Sequence, residues 1–268
     1  MQMRLSNVLK KMRAGEVATC IKLNLIDPVV AEIAALAGFD CVWVDTEHQP
    51  LTTEQVHNYI RAAKMHDIDT LVRVQRGSYS NLIHPLEMDA AGIMVPHIMS
   101  LKDAKEIVYY TRFHPIGRRP LDGGYTDGAY CMIPPQDYIK QANEQRFVVI
   151  QIEDPEPLDE LEEIAQLEGI DMLFFGAGDF SQGIGTPAQL DNPKIAETRK
   201  RVAQVARKYG KFAGTPGNVG NYDELAEMGY QFISAGADVL GLGDYFKQIV
   251  SDIKGTKAGS AKSIYKGK

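Results

Sequence analysis

A single (β/α)8 barrel is the fold predicted by this 268-residue sequence. Three observations predict it. Eight short β-branched or aromatic runs recur along the chain, most of them followed by a turn and a helical period. These runs are continuous rather than alternating in their apolar residues, as strands buried on both faces of a parallel sheet are. No linker or shift of composition interrupts them, and eight β-then-α units are more than an open doubly wound sheet usually carries.

In chain order the runs are VATCIKLNL (17–25), DCVWVD (40–45), DTLVRVQ (69–75), GIMVP (92–96), FVVIQIE (147–153), DMLFFG (171–176), KFAGTP (211–216) and QFISAG (231–236). Between them PVVAEIAALAG, TTEQVHNYIRAAKMH, LKDAKEIVYYTR and PKIAETRKRVAQVARKYG space their apolar residues by three and four, which predicts helices. The leading MQMRLSNVLKKMRAGE has the period of an amphipathic helix and lacks the apolar core of a signal peptide. An eighth helix, ADVLGLGDYFKQIVSDI, carries more apolar residues than one barrel-facing stripe needs. One connection breaks the rhythm. Residues 113–146, rich in Gly, Pro, Arg and Asp, far exceed the usual connection of roughly two to six residues, and long ordered loops on barrels are often functional. An irregular surface insertion is the other reading. The barrel is expected over residues 1–253, followed by a lysine-rich, solvated and partly disordered tail over 254–268.

Composition excludes several classes. With Lys+Arg 29 against Asp+Glu 35, the net charge of -6 offers no basic field for nucleic acid and no polybasic membrane anchor. No stretch approaches the roughly 18 apolar residues that span a bilayer. Cys20, Cys41 and Cys131 form no CxxC pair and read as reduced core thiols, and a cytoplasmic protein is expected.

In such barrels chemistry collects at the C-terminal ends of the strands. There the stretch VWVDTEHQPLT sets Asp45, Glu47 and His48 directly after a buried run. Arg73 lies within the third run, Glu153 ends the fifth, and Asp179 follows the sixth. Plainer readings stand beside these. A strand arginine often partners a buried carboxylate, Asp154 and Asp179 sit where helix N-caps occur, and His57, His66 and His114 read as exposed. Taken together, two carboxylates, an imidazole and a guanidinium on one rim match the parts needed to hold an oxyacid through a metal ion. A hard cation with few protein ligands leaves positions for the carboxylate and keto oxygens of a 2-oxo acid and stabilises the developing enolate; a guanidinium adds fixed positive charge, and the imidazole removes a proton.

The segments FDCVWVDTEH, LVRV, GIMVPHIMSLKDAKEIV, QIEDPE and GIDMLFFGAGDFSQGIG closely resemble the HpcH/HpaI aldolase family of metal-dependent class II pyruvate aldolases, over about residues 5–253. The resemblance implies a divalent ion (Mg²⁺, Mn²⁺ or Co²⁺) on Glu153 and Asp179, His48 as general base and Arg73 as stabiliser of the enolate charge. It also implies substrate contacts from Gln151 and the Gly178 backbone, and an acidic residue before GIMVP that tunes the histidine, either Glu87, which the count favours, or Asp89. The implied assembly is a homohexamer of paired subunits that exchange their eighth helix.

The implied reaction is cleavage or condensation of a 4-hydroxy-2-oxo acid to pyruvate and an aldehyde. The alternatives are oxaloacetate decarboxylation or a citrate-lyase-like cleavage of an acyl-CoA, and, without catalysis, an oxyacid-binding barrel. A CoA lyase needs a basic groove for the nucleotide, for which the sequence offers only GRR at 117–119. Three departures bear on the aldehyde: Lys22 where many members have Trp, AGDF for Pro-Ala-Asp, and GRRPLDGG for the usual Arg-Gly. A cation at Lys22 favours an acidic or phosphorylated aldehyde, or else simply snorkels from the barrel mouth.

Overall fold

The computed structural model describes residues 1–254. The eight strands are β1 (Ala18–Leu23), β2 (Cys41–Asp45), β3 (Asp69–Arg73), β4 (Gly92–Val95), β5 (Phe147–Ile152), β6 (Met172–Phe175), β7 (Phe212–Gly217) and β8 (Phe232–Ala237). All pair in parallel with their sequence neighbours, and β8 returns to β1 to close the barrel. Each strand falls on one of the eight runs read from the sequence. The helices are α1 (Asn7–Arg13), α2 (Val29–Leu36), α3 (Thr53–Met65), α4 (Tyr79–Glu87), α5 (Leu101–Thr111), α6 (Pro135–Gln145), α7 (Leu161–Gln166), α8 (Ala177–Gly183), α9 (Pro193–Lys208), α10 (Tyr222–Met228) and α11 (Asp238–Lys254).

Two apolar layers follow from the strand period. Residues pointing inward, among them Cys20, Cys41, Trp43, Leu71, Phe147 and Phe174, fill the barrel, and Val8, Leu9 and Met12 of α1 close its floor. Their outward neighbours Val42, Val44, Val72, Ile93, Ile150 and Leu173 pack under the surrounding helices. The floor is pinned by Asp69 at the start of β3, whose Oδ2 accepts from the Ser6 hydroxyl at 2.6 Å and from the Val8 N–H at 2.8 Å. With the lower layers apolar, the inward positions at the strand ends are free to be polar, and β2 and β3 are in register so that Asp45 lies opposite Arg73.

Four expectations need correction. The 113–146 segment is not a continuous loop: Pro135–Gln145 form α6, which buries Tyr138 and Ala142. His57 is buried rather than exposed, with its Nδ1 3.0 Å from the Tyr125 hydroxyl, so it ties that segment to α3. Cys131 is exposed, while Cys20 and Cys41 are core thiols as expected. Asp154 caps no helix, since Pro155 precedes the following 3-10 turn and the Asp154 carboxylate turns to His97 instead. The eighth helix of the repeat, α11, has no buried residue and exposes Val239, Leu242, Tyr245, Phe246, Ile249, Val250 and Ile253. The expected tail lies outside the described residues except for Lys254, which ends α11. Among the described residues no helix is long and apolar enough to cross a membrane.

Candidate active site

The Asp45 carboxylate, fully buried at the end of β2, organises the mouth of the barrel. Its Oδ1 accepts from Arg73 Nε at 2.9 Å and from the Glu47 N–H at 3.1 Å, and its Oδ2 takes the other fork of the guanidinium and Lys22 Nζ at 2.8 Å. Burial pushes the Asp45 carboxyl up, but Arg73 and Lys22 outweigh it and hold the group well below the ordinary carboxylate range. Arg73 is therefore both things the sequence allowed, a structural partner of a buried carboxylate and a rim cation. Nε and NH2 are locked on Asp45, while NH1 faces the mouth with Glu47 Oε2 at 2.9 Å. Lys22 neither snorkels nor stands free. It is 5% exposed, and its ammonium and the Arg73 guanidinium lie 5.1 Å and 4.9 Å from the centre of the Trp43 ring.

A second group gathers beside Arg73. Glu47, His97 and Glu153 each present a ligand atom, all within 4.8 Å of one another. Glu153, just past β5, is wholly buried; burial pushes its carboxyl up to about 7, and the nearby Asp179 charge adds to this against the pull of His97 and Arg73. The His97 N–H donates to Glu153 Oε1 at 2.9 Å, and Gln151 Nε2 donates to Glu153 Oε2. Gln151 Oε1 is buried without a hydrogen-bond partner among the described residues. Gly176 gives this corner its room, because a Cβ there would lie 2.9 Å from both the Cβ and Oε2 of Glu153.

Two carboxylates and an imidazole converging at an open rim, one of the carboxylates buried in an environment that disfavours its charge, fit a divalent cation. Glu47, His97 and Glu153 are the residues that can share it, with Asp179 adjoining Glu153 from the first turn of α8.

The remaining expected residues are placed as follows. His48 is exposed, with Nε2 3.7 Å from Glu47 Oε2, so its ring is open to a ligand entering the mouth. Gly178 is exposed in the first turn of α8, where backbone N–H groups lack helical partners. Glu87 is not brought to His48 within the chain. It ends α4 at the barrel's other end, where burial pushes its carboxyl up beside Arg119 and Asp127. Asp89 holds Lys64 and Arg146 there. His97 and Asp154 are the site residues that sequence reasoning missed as functional. The signal was present, since GIMVPH sets an imidazole after a buried run as VWVDTEH does.

Carboxylates, imidazoles and a buried guanidinium gathered on the C-terminal rim of a barrel have the makings of an enzyme site, and the comparisons give the family. Residues 21–242 match the model of the HpcH/HpaI aldolase/citrate lyase family, and the chain belongs to that family of carbon–carbon lyases. The 2-keto-3-deoxy-L-rhamnonate aldolase of Escherichia coli (strain K12) is 28% identical over 260 residues, covering 95% of this chain and 96% of the relative. Among solved structures, an HpcH/HpaI aldolase from Desulfitobacterium hafniense DCB-2 superposes with a TM-score of 0.87 at 26% identity, over 97% of this chain and 100% of the other. The citrate synthase SbnG superposes with a TM-score of 0.86 at 29% identity, over 94% and 98%.

Proposed function

We propose that the protein is a divalent-metal-dependent aldolase that cleaves or forms 4-hydroxy-2-oxo acids, with pyruvate and an aldehyde as the other side of the reaction. The observation that carries this reading is the buried Glu153 carboxylate beside Glu47, His97 and the outward nitrogen of Arg73. The rhamnonate aldolase relative supports the reaction class.

Glu153 and Asp179, with Glu47 beside them, are the carboxylates that would hold the ion, which supplies Lewis-acid polarisation of the 2-oxo group. Arg73 offers NH1 to the 2-oxo oxygen, because Asp45 fixes its other two nitrogens and so aims the third. His48 takes the proton of the C4 hydroxyl. The C3–C4 bond then breaks, its electron pair passes toward the 2-oxo oxygen, and the aldehyde leaves; protonation at C3 yields pyruvate. Gln151, whose amide oxygen lacks a donor among the described residues, and the Gly178 backbone contact the substrate.

A homo-oligomer, most simply a hexamer of dimers that exchange the C-terminal helix, is supported by the unburied apolar face of α11. A second reading, in which the same enolate chemistry serves a citrate-type substrate, is supported by the likeness to citrate synthase SbnG.

The test is to incubate the protein with pyruvate, a panel of aldehydes and Mg²⁺, Mn²⁺ or Co²⁺, with product identification by mass. Condensation products that disappear on exhaustive chelation and return with the ion are expected. Turnover that survives chelation and is trapped by borohydride as a lysine adduct defeats the metal-dependent reading, and products formed only with acyl-CoA favour the second.

A further inference from the structure

We infer that His97 is itself a ligand of the ion, oriented by Asp154, and that its imidazole turns the site toward Co²⁺- or Zn²⁺-type ions over Mg²⁺. This rests on the metal-dependent reading above and specifies it.

The chain goes to some length to place this ring. His97 follows Pro96 directly past β4 and adopts φ 50°, the left-handed region that residues other than glycine rarely enter. In that conformation one residue serves the site twice. Its main-chain N–H orients Glu153 Oε1 at 2.9 Å, and its ring turns into the space between Glu47, Glu153 and Asp154.

The two ring nitrogens have different surroundings. Nδ1 lies 2.9 Å from Asp154 Oδ2, a distance for an Nδ1–H donor. A proton fixed on Nδ1 leaves the Nε2 lone pair for another partner. Nε2 faces Glu47 Oε1 at 3.4 Å. An imidazole lone pair and a carboxylate oxygen repel one another unless a proton or a metal ion lies between them, and 3.4 Å is also about the edge of a tetrahedron whose ligands stand roughly 2.1 Å from a metal that takes the proton's place. Carboxylate, imidazole and ion in sequence form the arrangement by which proteins hold a metal-binding histidine in one tautomer.

Chemistry then discriminates between ions. Mg²⁺ favours oxygen donors in octahedral array and keeps its water, whereas imidazole nitrogen suits the later first-row ions. A site of carboxylates alone would serve Mg²⁺, and one imidazole in it moves the balance.

The full-length protein is stripped with chelator, titrated with Mg²⁺ and with Co²⁺ by calorimetry, and loaded with Mn²⁺ for pulsed EPR. Wild type is expected to show ¹⁴N coupling to Mn²⁺, and His97→Gln to lose it. The same variant should lose Co²⁺ affinity by about tenfold more than Mg²⁺ affinity, and Asp154→Asn should weaken Co²⁺ by about ten- to a hundredfold. Wild type that binds Mn²⁺ without nitrogen coupling, coupling that persists in His97→Gln, or equal losses for both ions overturns the assignment while leaving the metal reading intact. Wild type that binds none of the three ions overturns both. The wild-type spectrum needs no variant, so it decides the matter even if His97→Gln folds poorly.

Discussion

Asp45 holds Arg73 through both of its carboxylate oxygens, with Nε to Oδ1 at 2.9 Å, and both residues are buried. The same carboxylate carries Lys22, so Lys22 and the Nε and NH2 side of Arg73 share one charge, while NH1 has Glu47. Asp45→Asn leaves both under-compensated and is expected to cost about 3–5 kcal/mol in denaturant unfolding. Because the folded state depresses the pKa of Asp45, its stabilising share is present above the ordinary carboxylate range and disappears as pH falls through the lowered value. In the variant the acid limb of a stability–pH profile should flatten.

Glu153 titrates in the opposite sense. Its carboxyl rises from an ordinary 4.5 to about 7 in the folded protein without ions. Its proton-bound form is thus favoured by folding, and that stability is complete below about pH 4.5 and lost as pH rises through about 7, with a slope of at most about 1.4 kcal/mol per pH unit. Melting of the chelated protein across this window should show the decline, and Glu153→Gln should remove it. Ion binding, which needs the carboxylate, should strengthen over the same window in wild type.

At Gly176 the side chain is the variable. Alanine there would drive a methyl group to 2.9 Å from Glu153 Oε2 and 3.0 Å from Gln151 Nε2, so both must shift. Gly176→Ala is expected to weaken ion affinity by roughly tenfold or more, on the scale of disturbed ligand support. Gly178→Ala meets nothing within 4 Å among the described residues and is the control, with ion binding unchanged in calorimetry.

His48 is the exposed base of the proposed reaction. His48→Ala should lower kcat by about 10²- to 10⁴-fold, with ion binding and melting temperature nearly unchanged. A variant that cleaves at nearly the wild-type rate removes His48 from the mechanism.

Seven large apolar residues on one unburied helix call for a covering surface. Light scattering at micromolar concentration should give an oligomeric mass, and replacing Phe246 and Val250 with glutamate should reduce it. A monomeric wild type would rule out helix exchange.

The barrel was legible because strands buried on both faces leave continuous apolar runs, and polar residues interrupt those runs only where the strands emerge. Asp45, Arg73 and Glu153 were found by that rule. The helix at Pro135–Gln145 was not, since PPQDYIKQANEQ buries only Tyr138 and Ala142 and its apolar period is thin. Glu87 illustrates a different limit. Counting back along the chain from β4 ignores that a strand's beginning and end lie on opposite faces of a barrel, so a residue before one strand does not meet a residue after another within one subunit. His97 escaped because a lone imidazole after proline looks like surface, and only the closeness of Glu47, Glu153 and Asp154 gives it a task.

Trp43 is the only tryptophan in the chain, and it lies beneath the mouth, edge-on to Phe174 and flanked by the Lys22 and Arg73 cations. Its indole emission therefore comes from the floor of the candidate site and from nowhere else. Any ligand that draws Arg73 NH1 away from Glu47 alters the electric field across that ring. The protein thus carries an intrinsic optical probe, and ultraviolet fluorescence alone can follow occupancy of the barrel mouth in unlabelled protein, in real time.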